Sequence, residues 1–276
     1  MQQMLKTMLE NVRAKTPLVH NITNYVTVND VANVLLAAGG SPIMSDDADD
    51  VEDITSICGG LNINIGTLNK NTIPSMFLAG KKANALGHIV LLDPVGAGAS
   101  RLRTDTANRL MQEVRFDAVR GNISEIKTLC TGSGSTKGVD ADAVDAVTEA
   151  NLDDGVQLVK TFAQRAGCIV AVTGAIDLVS DGERCWCIRN GRAEMSRITG
   201  TGCQLSALMT AFLVANPDHK LAAAAAAVCM MGLAGEIGWA NMQPGDGNST
   251  YRNRIIDAIF NMTGDALEKG AKYELR

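Results

Sequence analysis

Residues 168–188 read CIVAVTGAIDLVSDGERCWCI, and the fold turns on how this stretch divides. Its first seven residues form an apolar run closed by Thr173-Gly174, the pattern of a strand buried on both faces of a parallel sheet. The remainder reads differently. Residues 176–180 and 183–188 flank Asp181-Gly182, and an Asp-Gly pair between two alternating runs signals a hairpin. The stretch therefore predicts a parallel strand with an antiparallel pair beside it. Cys185 and Cys187 lie two apart, hence on one strand face, which is a packing pattern and not a metal site.

Upstream, further apolar runs bounded by Gly or Asp read as strands: residues 60–66 (GLNINIG), 89–95 (IVLLDPV) and 116–119. Between them, residues 31–38, 71–86, 105–113 and 152–166 carry helical spacing. Strand and helix in alternation predict an α/β fold of three layers, a mostly parallel central sheet covered by helices on both faces, with the antiparallel hairpin at one edge. No linker or repeat interrupts the 276 residues, so residues 1–276 are expected to form a single domain. Ligands of such sheets bind beyond the carboxyl ends of the strands. There the sequence places DPVGAG (93–98), RGN (120–122) and TG (173–174).

Bulk properties narrow the function. The net charge is −5 and no run of Lys and Arg occurs, which argues against a nucleic-acid partner. Seven cysteines, an odd number without CxxC pairs, and an N-terminus lacking an unbroken apolar stretch point to a reducing, cytoplasmic setting. Residues 221–235 (LAAAAAAVCMMGLAG) fall short of the roughly 18 residues of a membrane span and are expected to form a buried helix.

Three motifs carry chemistry. Gly200-Thr201-Gly202-Cys203 opens an apolar helix over about 203–214. The first amides of a helix lack internal partners, its dipole favours negative charge there, and glycine lets a phosphate approach the backbone. Gly200, Gly202 and Cys203 are thus candidate catalytic positions, with a plain turn into a helix as the competing reading. A first-turn position is expected to lower the Cys203 thiol pKa. Asn122-Ile-Ser-Glu125 follows a strand and puts Glu125 near Asp93; two carboxylates suffice for a magnesium ion whose other ligands are phosphates and water. Both acids also have bland readings, Glu125 as a first-turn helix acid and Asp93 as a turn residue. Residues 96–101 (GAGASR) lack the third glycine of the dinucleotide fingerprint, and 132–138 (GSGSTKG) have the wrong spacing for a phosphate loop and read as a flexible loop.

In this order, Asn-x-x-Glu, a strand ending in Thr-Gly, a hairpin and Gly-x-Gly opening a helix, the chain resembles the ribokinase superfamily. Within it the segments HNITNYVT (20–27), SPIMS (41–45), NIGTL (64–68), DPVGAGA (93–99), RGNISEI (120–126), VTG (172–174) and TGTGC (199–203) resemble hydroxyethylthiazole kinase. The resemblance implies a ribokinase-like fold and ATP- and Mg²⁺-dependent phosphorylation of the hydroxyl of 4-methyl-5-(2-hydroxyethyl)thiazole in thiamine synthesis or salvage. It also implies a cytoplasmic homotrimer with pockets at subunit contacts. Arg120 and Thr173, with Asn122 in support, match nucleotide positions; Asp93 and Glu125 match the magnesium region. Met44 and Gly200 match substrate positions, with Asn24, Val26 and Gly66 near them. Most of the superfamily has Asp where this chain has Cys203, and the thiazole branch has Cys. Met44 would pack its thioether on a flat ring and Asn24 would hydrogen-bond it, against core filler and helix cap as their ordinary roles. The alternatives are another small-alcohol kinase of this superfamily, such as a hydroxymethylpyrimidine kinase, or a non-catalytic nucleotide-binding protein.

Overall fold

The computed structural model describes residues 3–131 and 146–276. Among them the order is α1 (Met4–Lys15), β1 (Leu18–Ile22), α2 (Val28–Ala38), β2 (Ser41–Met44), α3 (Val51–Ile57), β3 (Gly60–Asn64), α4 (Thr72–Leu86), β4 (Ile89–Asp93), α5 (Arg101–Glu113), β5 (Ala118–Asn122) and α6 (Ile123–Thr131). It continues with α7 (Leu152–Ala166), β6 (Ile169–Thr173), β7 (Asp177–Ser180), β8 (Cys185–Ile188), α8 (Thr201–Ala215), α9 (Lys220–Ala240), α10 (Asn248–Asn261), α11 (Gly264–Gly270) and β9 (Tyr273–Leu275). The sequence-predicted loop at 132–138 lies outside the described residues.

The nine strands form one sheet in the order β2-β1-β3-β4-β5-β6-β7-β8-β9. From β2 to β6 every pairing is parallel; β6 to β9 pair antiparallel. The hairpin sits at that edge as expected, and the C-terminal strand extends it by one. Successive residues along a strand face opposite sides, and the two cores obey this. Val90, Leu92, Val119, Val170 and Val172 pack with α4–α7, whereas Leu91, Ala118, Ala171, Val179 and Trp186 pack with α1, α8, α9 and α10.

That parity builds the site. Continuing each strand by two residues on the α8 face gives Asp93 after Leu91, Arg120 after Ala118 and Thr173 after Ala171. The apolar core thus ends, at the carboxyl edge, in a polar row lying under the start of α8. Helix α9 is buried through most of its length, with Ala223 to Ala227 and Ala234 at zero exposure. The stretch 217–240 is long and apolar enough to cross a membrane by length and composition, but 89% of its most apolar window is buried in the fold.

Candidate active site

Helix α8 begins at Gly200, which has φ +84°, a left-handed conformation that glycine adopts without strain. No side chain caps this end, so the amides that follow are open to a ligand. Two neighbours press on it. A Cβ at Gly200 would collide with Thr27, and one at Gly202 would collide with the Arg120 guanidinium. The glycines are therefore fitted to a substrate-side loop and to a cation.

Arg120 is almost buried. Its Nη2 donates to Thr173 Oγ1 at 2.5 Å, and its Nη1 stands 3.6 Å from Asp93 Oδ1. Asp93 is fully buried; Asn64 Nδ2 donates to its Oδ2 at 2.7 Å and Ser206 Oγ at 2.8 Å. Among the described residues the other oxygen, Oδ1, accepts no hydrogen bond and has the Arg120 guanidinium as its ion-pair partner. Buried polar atoms are nearly always satisfied, so this one points to a ligand position. Burial pushes the Asp93 carboxyl above its usual range, against the pull of Arg120, Ser206 and Asn64.

Glu125 is held by backbone. Asn122 N donates to Oε2 at 2.7 Å, Gly96 N to Oε1 at 2.8 Å, and Asn122 Oδ1 accepts from Glu125 N at 2.8 Å. The reciprocal pair is a capping box on α6, so the Asn-x-x-Glu motif both starts the helix and aims the acid. Burial, then the nearby Asp93, raises the Glu125 pKa to about 7, the two backbone hydrogen bonds to its carboxylate and Arg120 notwithstanding. Two neighbouring carboxylates, one with an oxygen that accepts no hydrogen bond among the described residues, fit a hard, oxygen-loving cation. Among the described residues no group of three or more His, Cys, Asp or Glu is gathered, so such an ion would draw most ligands from phosphate and water.

On the other side, Asn24 Nδ2 donates to Asn64 Oδ1 at 3.0 Å and to Cys203 Sγ at 3.2 Å. A cavity of about 170 Å³ opens there, lined by Asn21, Met44, Asn64, Thr67 and Met76 among others. It is smaller than the several hundred Å³ of drug-sized pockets and suits a small ring. A larger cavity of about 340 Å³ lies near Trp186 and the start of α9, away from this chemistry, and its cations Arg184 and Lys220 are paired with Asp181 and Asp117.

The sequence model of the hydroxyethylthiazole kinase family matches residues 9–265. The chain belongs to that family. It is 57% identical over 271 residues to a hydroxyethylthiazole kinase of Clostridium acetobutylicum, covering 98% of this chain and 99% of that one. It is similar to a solved hydroxyethylthiazole kinase protein from Pyrococcus horikoshii, with TM-score 0.87, 32% identity and coverage of 99% and 98%. A pyridoxal kinase of Staphylococcus aureus in complex with ADP shares the fold alone, at TM-score 0.59 and 14% identity, over 77% of this chain and 85% of that one. The fold is thus ribokinase-like, and the chain is a kinase of the thiazole branch.

Within this kinase site the structure brings together most of the sequence-predicted positions. Arg120 meets Gly202, Thr173 and Asp93, Asn122 and Glu125 form the capping box beside them, and Cys203, Asn24 and Gly66 meet around Asn64. Met44 lines the small cavity. Val26 stands apart, 56% exposed on the loop before α2. One expectation is corrected: the first-turn position does not lower the Cys203 thiol pKa. Burial, then the nearby Asp93, pushes it up, outweighing Arg120 and the two asparagines.

Three participants were missed. Asn64 is the hub joining Asp93, Asn24 and the Gly66 amide. Its position two residues after Asn62 in an apolar strand could have announced it. Ser206 lies three residues after Cys203, on the same helix face. Asp177 was read as part of the hairpin; its Oδ1 accepts from Gly174 N at 2.8 Å, closing the turn after Thr173. Desolvation raises its pKa to about 7, against that bond and Arg120.

Proposed function

We propose that this kinase transfers the terminal phosphoryl group of ATP, with Mg²⁺, to the hydroxyl of 4-methyl-5-(2-hydroxyethyl)thiazole, in thiamine synthesis or salvage. The observation that carries the reading is the meeting of an uncapped, glycine-led helix start with Arg120, Asp93 and Glu125 on one side and a small cavity bearing Met44 on the other. One half suits a polyphosphate, the other a flat, weakly polar alcohol.

Phosphoryl transfer through a loose transition state needs positioning and charge stabilisation above all. The amides after Gly200 hold the transferred group, and Arg120, kept in line by Thr173, neutralises its oxygens. Asp93 and Glu125 would hold the magnesium ion, whose chemistry is to offset phosphate charge. Cys203, a thiol kept protonated by its surroundings, orients the alcohol with Asn24. Gly66 and Gly200 let the loops close on the ring.

The unbroken sheet supports taking residues 1–276 as one kinase domain. Tyr25, 79% exposed in the lining of the cavity, and the exposed Val26 next to it in sequence support a homotrimer with the pocket at a subunit contact. A cytoplasmic location accords with seven unpaired cysteines. The deciding assay is ADP release with and without Mg²⁺, on the thiazole alcohol and on hydroxymethylpyrimidine. Release that needs Mg²⁺ and prefers the thiazole alcohol is expected. Preference for the pyrimidine would favour the sister kinase, and release independent of any alcohol would remove the reading.

A further inference from the structure

Arg103 has no part in the site as described, yet it holds two of its loops. Its Nη2 donates to Gly66 O at 2.7 Å and its Nη1 to Val95 O at 2.8 Å. Gly66 belongs to the loop after β3, and Val95 to the loop after β4. Both acceptors are neutral carbonyls, and two at once demand the planar fork that Arg has and Lys lacks. The residue sits in the first turn of α5, where a positive charge opposes the helix dipole, so its placement works against local helix stability. Gly96 makes room for it: a Cβ there would stand 2.7 Å from Arg103 Nη1.

The consequences run both ways from the guanidinium. Next to Val95, the Gly96 amide donates to Glu125 Oε1. On the other side the Gly66 amide donates to Asn64 Oδ1, so that this one residue is gripped through its N–H by Asn64 and through its carbonyl by Arg103. Thr67, next in sequence, lines the small cavity, and its Oγ1 accepts from Tyr25 N at 3.3 Å. Arg103 thus ties the wall of the alcohol cavity to the loop that aims the magnesium-side acid.

We propose that Arg103 is a positioning residue that fixes the spacing between the acceptor alcohol and the phosphate end of the site, an inference that rests on the kinase reading above. A misplacement of about 1 Å far from the chemistry can cost about 100-fold in rate. Arg103→Lys and Arg103→Gln are therefore expected to lower kcat about 10-fold to 100-fold, with the nucleotide KM within about twofold of wild type. Lys, lacking the fork, is not expected to rescue. Hydrogen exchange gives the second readout: amides at 65–68 and 95–98 should exchange faster in both variants, while α9 stays as protected as in wild type.

Unchanged exchange in the two loops overturns the proposal, and so does unchanged kcat in an active enzyme. A loss of protection spread evenly over the chain, α9 included, also overturns it, because it marks a general stability role. If the wild-type protein releases no ADP with the thiazole alcohol, the activity reading falls by itself, and the exchange pattern still decides whether Arg103 couples the loops.

Discussion

Helices α8 and α9 follow one another through the turn at residues 216–219 and pack together behind the sheet, both apolar by composition, yet they serve different ends. In α9 every buried position from Leu221 to Ala234 is apolar or glycine, and the helix fills space between β6–β8 and α10. In α8 the buried set includes Cys203, Gln204, Ser206 and Thr210; Ser206 donates to Asp93 and Cys203 accepts from Asn24. Composition makes both helices core. The spacing of a few polar groups, and which end meets the carboxyl edge of the sheet, makes one of them a site.

Enlarging a glycine in each helix should separate the two roles. A Cβ at Gly202 would strike the Arg120 guanidinium, the flexible end of a side chain, so Gly202→Val folds but drives the cation off the phosphate position. Loss of such a charge-stabilising contact is worth about 100-fold to 1,000-fold in kcat, read from initial rates at saturating substrates. A Cβ at Gly232 would stand 2.7 Å from the Asn190 carbonyl carbon and Cβ, which cannot swing away. Gly232→Val should cost about 1–3 kcal/mol in the denaturant midpoint and leave kcat per folded molecule unchanged. Equal kinetic damage from both would break the contrast.

The pH dependence of stability sharpens it further. Glu125 has an ordinary value of 4.5 and a folded value of about 7, so the folded state binds the proton more tightly. Its favourable contribution is fully present below about pH 4.5 and is lost as pH rises through 7. At one pKa unit per 1.36 kcal/mol, the loss is about 3 kcal/mol at most. Glu125→Gln should therefore flatten the fall in stability between pH 4.5 and 7, measured by denaturant titration, and keep the share due to Asp177, which titrates in the same window. Gly232→Val, whose nearest new contacts are with Asn190 and not with Glu125 or Asp177, should keep the full wild-type slope.

The same contrast governs what could be read from the sequence. Strands β3, β4 and β6 were legible because burial on both faces leaves continuous apolar runs bounded by Gly or Asp. Strand β5 was read as ending at Val119 but runs to Asn122, because its last residues turn polar where they enter the site. Strand β1 escaped for the same reason: His20 and Asn21 are buried, but they interrupt the apolar run. Pro42 disguised β2, an edge strand where proline is tolerated. Within the site, motifs local in sequence were visible. Arg103 was not, since its meaning lies in partners up to 37 residues away that only the packing of loops reveals.

Serine in place of cysteine puts the finest edge on the comparison, because each helix has a buried cysteine. Cys229 is buried in the apolar core, and burial, then the charge of Asp177, pushes its thiol pKa far up. A hydroxyl there gains no evident partner and should cost about 1–3 kcal/mol of stability, with kcat unchanged. At Cys203 the sulfur already accepts from Asn24 at 3.2 Å, and a serine oxygen can keep that bond. If the thiol only orients the alcohol, Cys203→Ser should lower the single-turnover rate by less than about tenfold, since removal of a general base costs about 100-fold to 10,000-fold. The raised pKa favours the smaller figure: a group that stays protonated near neutrality has little thiolate to offer, and a thiolate beside Asp93 and a phosphate would be repelled by both. Single-turnover rates of the two variants across pH 6–9 distinguish the cases. A wild-type rate that climbs with pH while Cys203→Ser collapses by about four orders of magnitude would make the thiolate the base, and the first turn of α8 would then supply proton transfer as well as a place for the phosphate.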